Sequence, residues 1–344
     1  MVAGHYFDDS IQFEYAHLAG ARKTLFIRIL ETFGVLIGHH KRQHMTSMPR
    51  FLGMVTDLSR LNDEHVVTLT SCPETKQRAL RMLSAFLSSG RVTPAEAAKA
   101  RGLLNWLEMS LLGKPLTAAF SGLIARQYFD HTNALTPSLA LCLQYLQLAL
   151  SIVPSRRVPV YPRLTEPVIV YTDASTAAPT PLGFRLGIWI LCDERIWVDS
   201  IDVPKEVIVT WAPRQTYINL LELLAVPLLA VSAPELLRNR DILWFLDNQA
   251  AWRAIIRSAS SAADVGHLSL LAGLQFARLR CNPWFEWVPS QQNLSDPLSR
   301  LGWADPAVAH AVQTGAWTPL RLAPIWHQLA PDLHTMSSFL TALE

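Results

Sequence analysis

The sequence predicts an α/β fold: a mixed sheet flanked by helices in the C-terminal half, preceded by a mostly helical region. Three observations carry this. Between residues 168 and 302, short apolar, β-branched runs alternate with longer segments of helical spacing. Residues 61–155 carry helical spacing with cap signals. A stretch with four prolines and three arginines, 154–167, separates the two patterns and reads as a linker.

The elements follow in order. Residues 1–60 are mixed: helical spacing over Ala21–Phe33, a basic turn at His39, His40, Lys41 and Arg42, then Phe51-Leu52-Gly53. Glu74–Leu87 sets Leu80, Leu83 and Leu87 at i, i+3, i+7, with Lys76, Arg78 and Arg81 near its start. Gly90 ends it, and Thr93-Pro94-Ala95-Glu96 reads as a capping box with Pro at the first helical position. That second helix runs toward Gly113-Lys114-Pro115, and a third covers about Pro137–Ile152. Beyond the linker, strands are predicted at Val168–Asp173, Gly183–Leu191, Arg195–Val203, Ile242–Leu246 and Phe285–Val288. Helices are predicted at Tyr217–Val231, Asn248–Arg257 and Asp264–Leu279. The order β-β-β-α-β-α-α-β-α gives a mixed sheet with helices on its faces.

Composition excludes several classes. Half of the 344 residues are hydrophobic and 17% charged, which excludes a disordered chain. A net charge of +2 excludes a strongly basic nucleic-acid coat, leaving room for a local basic patch. The four cysteines have no C-x-x-C pair, so neither a zinc site nor a disulfide framework is expected, and a reducing intracellular compartment fits. Leu139–Val153 is interrupted by Gln144 and Gln147 and reads as a buried helix, not a membrane span. The first ten residues have no basic and apolar regions of a signal peptide.

The carboxylates of the C-terminal half are the most informative residues. Asp173 ends one predicted strand and Asp247 another; Glu222 sits inside an apolar helix, and Asp296 opens the last one. Charges are rarely placed in such surroundings without a partner. In parallel strands Asp173 and Asp247 would share one sheet edge, where open α/β folds put their sites. Gathered carboxylates repel, and divalent cations such as Mg²⁺ relieve that repulsion. Taken singly, each acid has a plainer role: turn former, helix cap, or partner of an arginine.

The motifs resemble a known family. Val170-Tyr171-Thr172-Asp173-Ala174-Ser175, Glu222-Leu223-Leu224-Ala225, Asp247-Asn248, Trp287-Val288-Pro289-Ser290, Asn293 and Asp296-Pro297-Leu298-Ser299-Arg300 resemble the ribonuclease H domain of retroelement reverse transcriptases. The closing segment looks most like the DIRS-type retrotransposon version. Over about residues 165–302 the resemblance implies a ribonuclease H-like fold and hydrolysis of the RNA strand of an RNA–DNA hybrid. It implies Asp173, Glu222, Asp247 and Asp296 as catalytic ligands of two Mg²⁺ ions, with Mn²⁺ as a substitute. It implies neither a membrane nor a small-molecule cofactor. Upstream, His5-Tyr6-Phe7-Asp8-Asp9-Ser10 resembles the Tyr-x-Asp-Asp hairpin of a reverse transcriptase palm, and Phe51-Leu52-Gly53-Met54 the segment that follows it. The implied organisation is a palm remnant (1–60), a thumb- or connection-like helical region (61–158), a ribonuclease H-like domain (159–302) and a C-terminal tail of unknown role (303–344).

The pattern also departs from that family. Asp8 and Asp9 lack the upstream acid that a two-metal polymerase site needs, so DNA synthesis is not expected, and an upstream reverse transcriptase segment is a candidate partner. The stretch after Ser175 lacks a Gly-Gly turn, and Pro227 is expected to kink or end the helix carrying Glu222. His267 is a candidate for assisting product release, against the plainer reading of a helix-surface histidine. Ser175, Asn248, Gln249 and Arg300 are candidate nucleic-acid contacts; Lys76, Arg78 and Arg81 are candidates to track a duplex, against a solvated helix face. Trp189, Trp244 and Trp287 read as core. The competing functions are a catalytically inactive nucleic-acid-binding remnant and an integrase or resolvase of the same fold.

Overall fold

The structure is a computed structural model. It describes residues 2–6, 9–35, 45–130, 132–160, 166–181, 183–258, 262–323 and 326–329. The chain forms two compact units, residues 1–77 with 155–162, and residues 78–154 with 163–344.

In the first unit, β1 (Val2–Tyr6) and β2 (Asp9–Phe13) form an antiparallel hairpin with Tyr6 opposite Asp9. Phe7 and Asp8 of the Tyr-x-Asp-Asp motif lie outside the described residues. Helix α1 (Ala19–Thr32) follows. A four-stranded antiparallel sheet then joins β3 (Arg50–Phe51), β4 (Met54–Asp57), β5 (Val66–Ser71) and β6 (Arg156–Pro159), with α2 (Leu61–Glu64) before β5. The Phe-Leu-Gly-Met motif is its first hairpin: Phe51 pairs with Met54, and Leu52 and Gly53 both take positive φ, as a two-residue turn of this hand requires.

Two expectations change here. The run Val66–Ser71 is strand, because its β-branched residues suit a pleated surface better than a helix. Part of the expected linker is strand as well: Arg157 pairs with Thr68, and Pro159 is tolerated because β6 is an edge. Arg157 and Arg60 both reach the carboxylate of Glu64. This sheet spans residues 50–159, across the domain boundaries expected at 60 and 158.

The second unit has a helical part and a sheet part. Helices α3 (Pro73–Ser89), which starts in the first unit, α4 (Pro94–Glu108), α5 (Phe120–Tyr128) and α6 (Pro137–Ile152) form the first. The capping box is present: Thr93 Oγ1 accepts from Glu96 N at 3.2 Å, and the Glu96 carboxylate accepts from Thr93 N at 2.8 Å. Leu83, Leu104, Leu123, Leu143 and Leu146 form this core, joined by Leu270 and Leu274 from the sheet part.

The sheet part opens with three antiparallel strands, β7 (Val168–Ser175), β8 (Arg185–Cys192) and β9 (Arg195–Asp202). Short α7 (Lys205–Ile208), long α8 (Ile218–Ser232) and short α9 (Pro234–Leu237) lead to β10 (Asp241–Leu246), which pairs parallel to β7. Helices α10 (Gln249–Arg257) and α11 (Ala263–Leu279) return the chain to β11 (Asn282–Trp287), parallel to β10. After α12 (Asp296–Arg300) come α13 (Pro306–Gln313) and β12 (Thr318–Pro319). The sheet order is β11-β10-β7-β8-β9-β12. A mixed sheet with helices is therefore what the chain folds into. The segment after 302 is no bare tail: β12 adds a parallel sixth strand on β9, and the buried Asp199 carboxylate accepts from Leu322 N.

Of the two outcomes expected at Pro227, a kink or an end, the end does not occur: α8 continues past it to Ser232. A proline inside a helix costs about 3 kcal/mol. Each fully buried large aliphatic side chain contributes about 1.5–3 kcal/mol. Leu220 through Ala230 are all buried between the sheet and the outer helices, so burial outweighs the missing hydrogen bond. Among the described residues no helix is long and apolar enough to cross a membrane.

Candidate metal centre

Strand register builds the site. Thr172 of β7 faces Leu246 of the parallel β10, so the next residues, Asp173 and Asp247, emerge side by side at one sheet edge. Helix α8 packs on β7 and brings Glu222 to the same place. One carboxylate oxygen from each of Asp173, Glu222 and Asp247 lies within 4.8 Å of the others. Asp173 is 5% exposed and Glu222 3%; Asp247 is half-buried.

Such a cluster is electrostatically costly. Burial, then the charges of Asp247 and Asp296, push the Asp173 carboxyl up to about 7, against the opposing hydrogen bonds from Ser299 and Ala174 N–H. Burial, followed by Asp173 and Asp247, raises Glu222 well above the usual carboxylate range. Glu222 Oε1 accepts from Ala174 N at 3.2 Å, whereas no donor satisfies the buried Oε2 among the described residues. A buried carboxylate oxygen without a donor, facing two more carboxylates, has the chemistry of a hard-cation ligand.

Asp296 stands apart from this triad. The sequence reading places four acids around one ion pair; the structure gathers three. Asp296 lines the same cleft, half-buried, but its Oδ1 is paired with Arg300 Nε at 2.8 Å. The i, i+4 spacing in α12 produces that pair. The cleft holds about 300 Å³, and Ser175, Asn248, Ser290 and Arg300 line it with the acids.

The other candidates take these positions. Ser175 Oγ accepts from Ala177 N at 3.2 Å, shaping the turn after β7. Asn248 caps α10: its Oδ1 accepts from Ala250 N and Ala251 N, both at 3.0 Å, and its Nδ2 donates to Asn219 Oδ1 at 2.9 Å. Arg300 is exposed at the cleft. Gln249 is exposed beside it, and His267 lies half-buried in α11 away from the cleft lining. Arg78 and Arg81 are exposed on α3, and Lys76 is half-buried. Asp8 lies outside the described residues, and Asp9 is placed by its backbone in β2. Trp244 and Trp189 are core, but Trp287 is 38% exposed; its Nε1 donates to Asp247 O at 2.9 Å and steadies that strand end.

Two residues that carry the site went unassigned from the sequence. Ser299 is fully buried, and its hydroxyl hydrogen-bonds Asp173 Oδ2. Gly187, opposite Asp173 in the register, lets α12 come against β8. Ser299 was visible only as one letter of the closing motif, and Gly187 as an unremarked glycine in a strand.

The raised Asp173 carboxyl makes stability depend on pH. Between roughly pH 4 and pH 7 the folded chain holds a proton that the unfolded chain has released, so metal-free stability falls as pH rises, by about 1.4 kcal/mol per unit. Denaturation midpoints of wild type and Asp173→Asn, measured with chelator across that window, should converge at the acid end and separate at the neutral end, with wild type the less stable. Parallel pH profiles would contradict this.

No family model matches the chain, and no curated protein matches it. Among solved structures it is similar to the foamy viral protease-reverse transcriptase dRH in complex with double-stranded DNA, at 12% sequence identity and a TM-score of 0.35. That likeness covers 81% of this chain and 44% of the other, so the chain spans less than half of its length. A superposition this loose carries no functional argument.

Proposed function

We propose that the sheet part is a ribonuclease H-type nuclease, hydrolysing the RNA strand of an RNA–DNA hybrid with divalent metal. The observation that carries this reading is the convergence of Asp173, Glu222 and Asp247 at one sheet edge, with Glu222 Oε2 buried and unsatisfied. The donor set is all carboxylate oxygen, which suits Mg²⁺, or Mn²⁺ in its place. When bound, such ions would supply a water of lowered pKa and positive charge beside the leaving oxygen of a phosphodiester. Asp173, Glu222 and Asp247 would hold the metal. Asp296 would join them at the rim once Arg300 exchanges its carboxylate for a substrate phosphate. Ser175 and Asn248 sit where they would meet the sugar–phosphate backbone, and recognition would follow duplex shape and the 2′-OH. On this reading the N-terminal hairpin and four-stranded sheet are a palm remnant, the helices a thumb or connection, and an upstream reverse transcriptase segment a partner.

The Asp296–Arg300 pair favours a second reading, a catalytically inactive remnant that binds nucleic acid. One assay separates the two. With labelled hybrid and Mg²⁺, wild type should cut the RNA strand, chelator should stop it, and Asp247→Asn should cut at least about a hundredfold more slowly. Equal cleavage by wild type and Asp247→Asn refutes the nuclease; hybrid binding without cleavage supports the remnant.

A further inference from the structure

Helix α12 is held from several sides independently of the acids. Leu298 is buried against Trp189, Val198 and Val308. Ser200 Oγ donates to Leu298 O at 2.8 Å, and Arg185 Nη1 to Arg300 O at 3.3 Å. Just before it, Asn293 Nδ2 donates to Thr172 O at 3.1 Å, and Ser295 Oγ to Asn293 Oδ1 at 2.7 Å. Out of this anchored segment one buried hydroxyl, that of Ser299, reaches across to Asp173 Oδ2. It is the side-chain donor that reaches Asp173, at a residue 126 positions away in sequence. Ser299 is 0% exposed, so its hydroxyl is itself shielded from bulk water.

We propose that Ser299 is a positioning residue for the metal centre: its hydroxyl clamps Asp173 Oδ2 to α12 so that Oδ1 is the oxygen presented to the cation. A carboxylate free to rotate about its Cβ–Cγ bond would divide its time between orientations, and only some of them converge with Glu222 and Asp247. A hydrogen bond to one oxygen selects an orientation before the ion arrives, and partners of this kind change metal affinity by about ten- to a hundredfold when removed. The inference rests on the reading of Asp173, Glu222 and Asp247 as metal ligands, and it adds what fixes their geometry. It also ties the closing motif to the first strand by a bond that is about orientation, where Asp296 and Arg300 are about charge.

The test is titration of the full chain with Mn²⁺, with free ion followed by electron paramagnetic resonance. Ser299→Ala should weaken Mn²⁺ binding by about ten- to a hundredfold. Ser299→Cys, which keeps a weak donor of similar shape, should fall between it and wild type. Ser295→Ala is the control, since Ser295 is equally buried in the same segment but bonds Asn293 instead of an acid. It should lose some stability and keep wild-type Mn²⁺ affinity. Unchanged affinity in Ser299→Ala overturns the proposal. Equal weakening in Ser295→Ala and Ser299→Ala also overturns it, because the loss would then come from a loosened segment. A wild type that takes up no Mn²⁺ removes the metal-site reading itself, and the clamp with it.

Discussion

Glu222→Gln is expected to make the metal-free protein more stable while lowering hybrid hydrolysis by about three orders of magnitude, or ~4 kcal/mol of transition-state stabilisation. The two effects have one cause. Glu222 sits inside an apolar helix, 3% exposed, with two carboxylates in front of it and no donor to Oε2 among the described residues. Glutamine keeps the shape, keeps an acceptor for Ala174 N–H, and exchanges the unsatisfied oxygen for an amide that donates to Asp173. Relieving a buried unsatisfied polar group contributes about 1–3 kcal/mol. The same change removes a ligand charge from the cluster. Denaturant midpoints in chelator and cleavage rates in Mg²⁺, on the same preparation, check both. A Glu222→Gln protein less stable than wild type would mean the carboxylate is comfortable where it is, and the electrostatic case for a cation would fail.

Which parts of this were legible follows from how local each signal is. The strands that carry Asp173 and lead to Asp247 read directly, because runs such as Val168–Tyr171 have one pattern whether or not the fold is known. The start of α6 read well because Thr136 and Pro137 state a helix start within two residues. Helix α5 is not placed by the sequence reading: Gly122 lies in its first turn, and only the fold shows why, since an added Cβ would sit 2.8 Å from Cys142 Sγ. Strand β6 is hidden by its proline and two arginines, which suit an edge as well as a linker. At the site, type and order group four acids, Asp173, Glu222, Asp247 and Asp296, of which the structure brings the first three within 4.8 Å of one another. The Asp296–Arg300 pair is an i, i+4 spacing that the closing motif already contains, whereas the reach of Ser299 to Asp173 depends on a distance between elements far apart in the chain.

Gly187→Ala carries the second large expected effect, from a residue with no chemistry of its own. An ideal Cβ there would lie 2.4 Å from Ser295 O, 2.5 Å from Ser299 N and 3.0 Å from Leu298 C, all backbone atoms. No rotamer change relieves such contacts, so α12 must move off β8 or the strand must bend. Overpacking of this kind costs about 1–3 kcal/mol. The functional loss should be larger than the stability loss suggests. The displaced segment carries Ser299, Asp296 and Arg300, and a shift of about 1 Å in a positioned group can lower a rate about a hundredfold. Gly102→Ala gives the contrast: that glycine lies in α4 with nothing near its added Cβ, and alanine there should stabilise the helix by about 1 kcal/mol without touching cleavage. Unfolding midpoints should therefore move in opposite directions for the two alanines, and RNA-strand cleavage should fall for Gly187→Ala alone. If Gly187→Ala keeps wild-type cleavage, the loop through Ser295 relaxes freely, and close packing of α12 is not what holds the candidate site together.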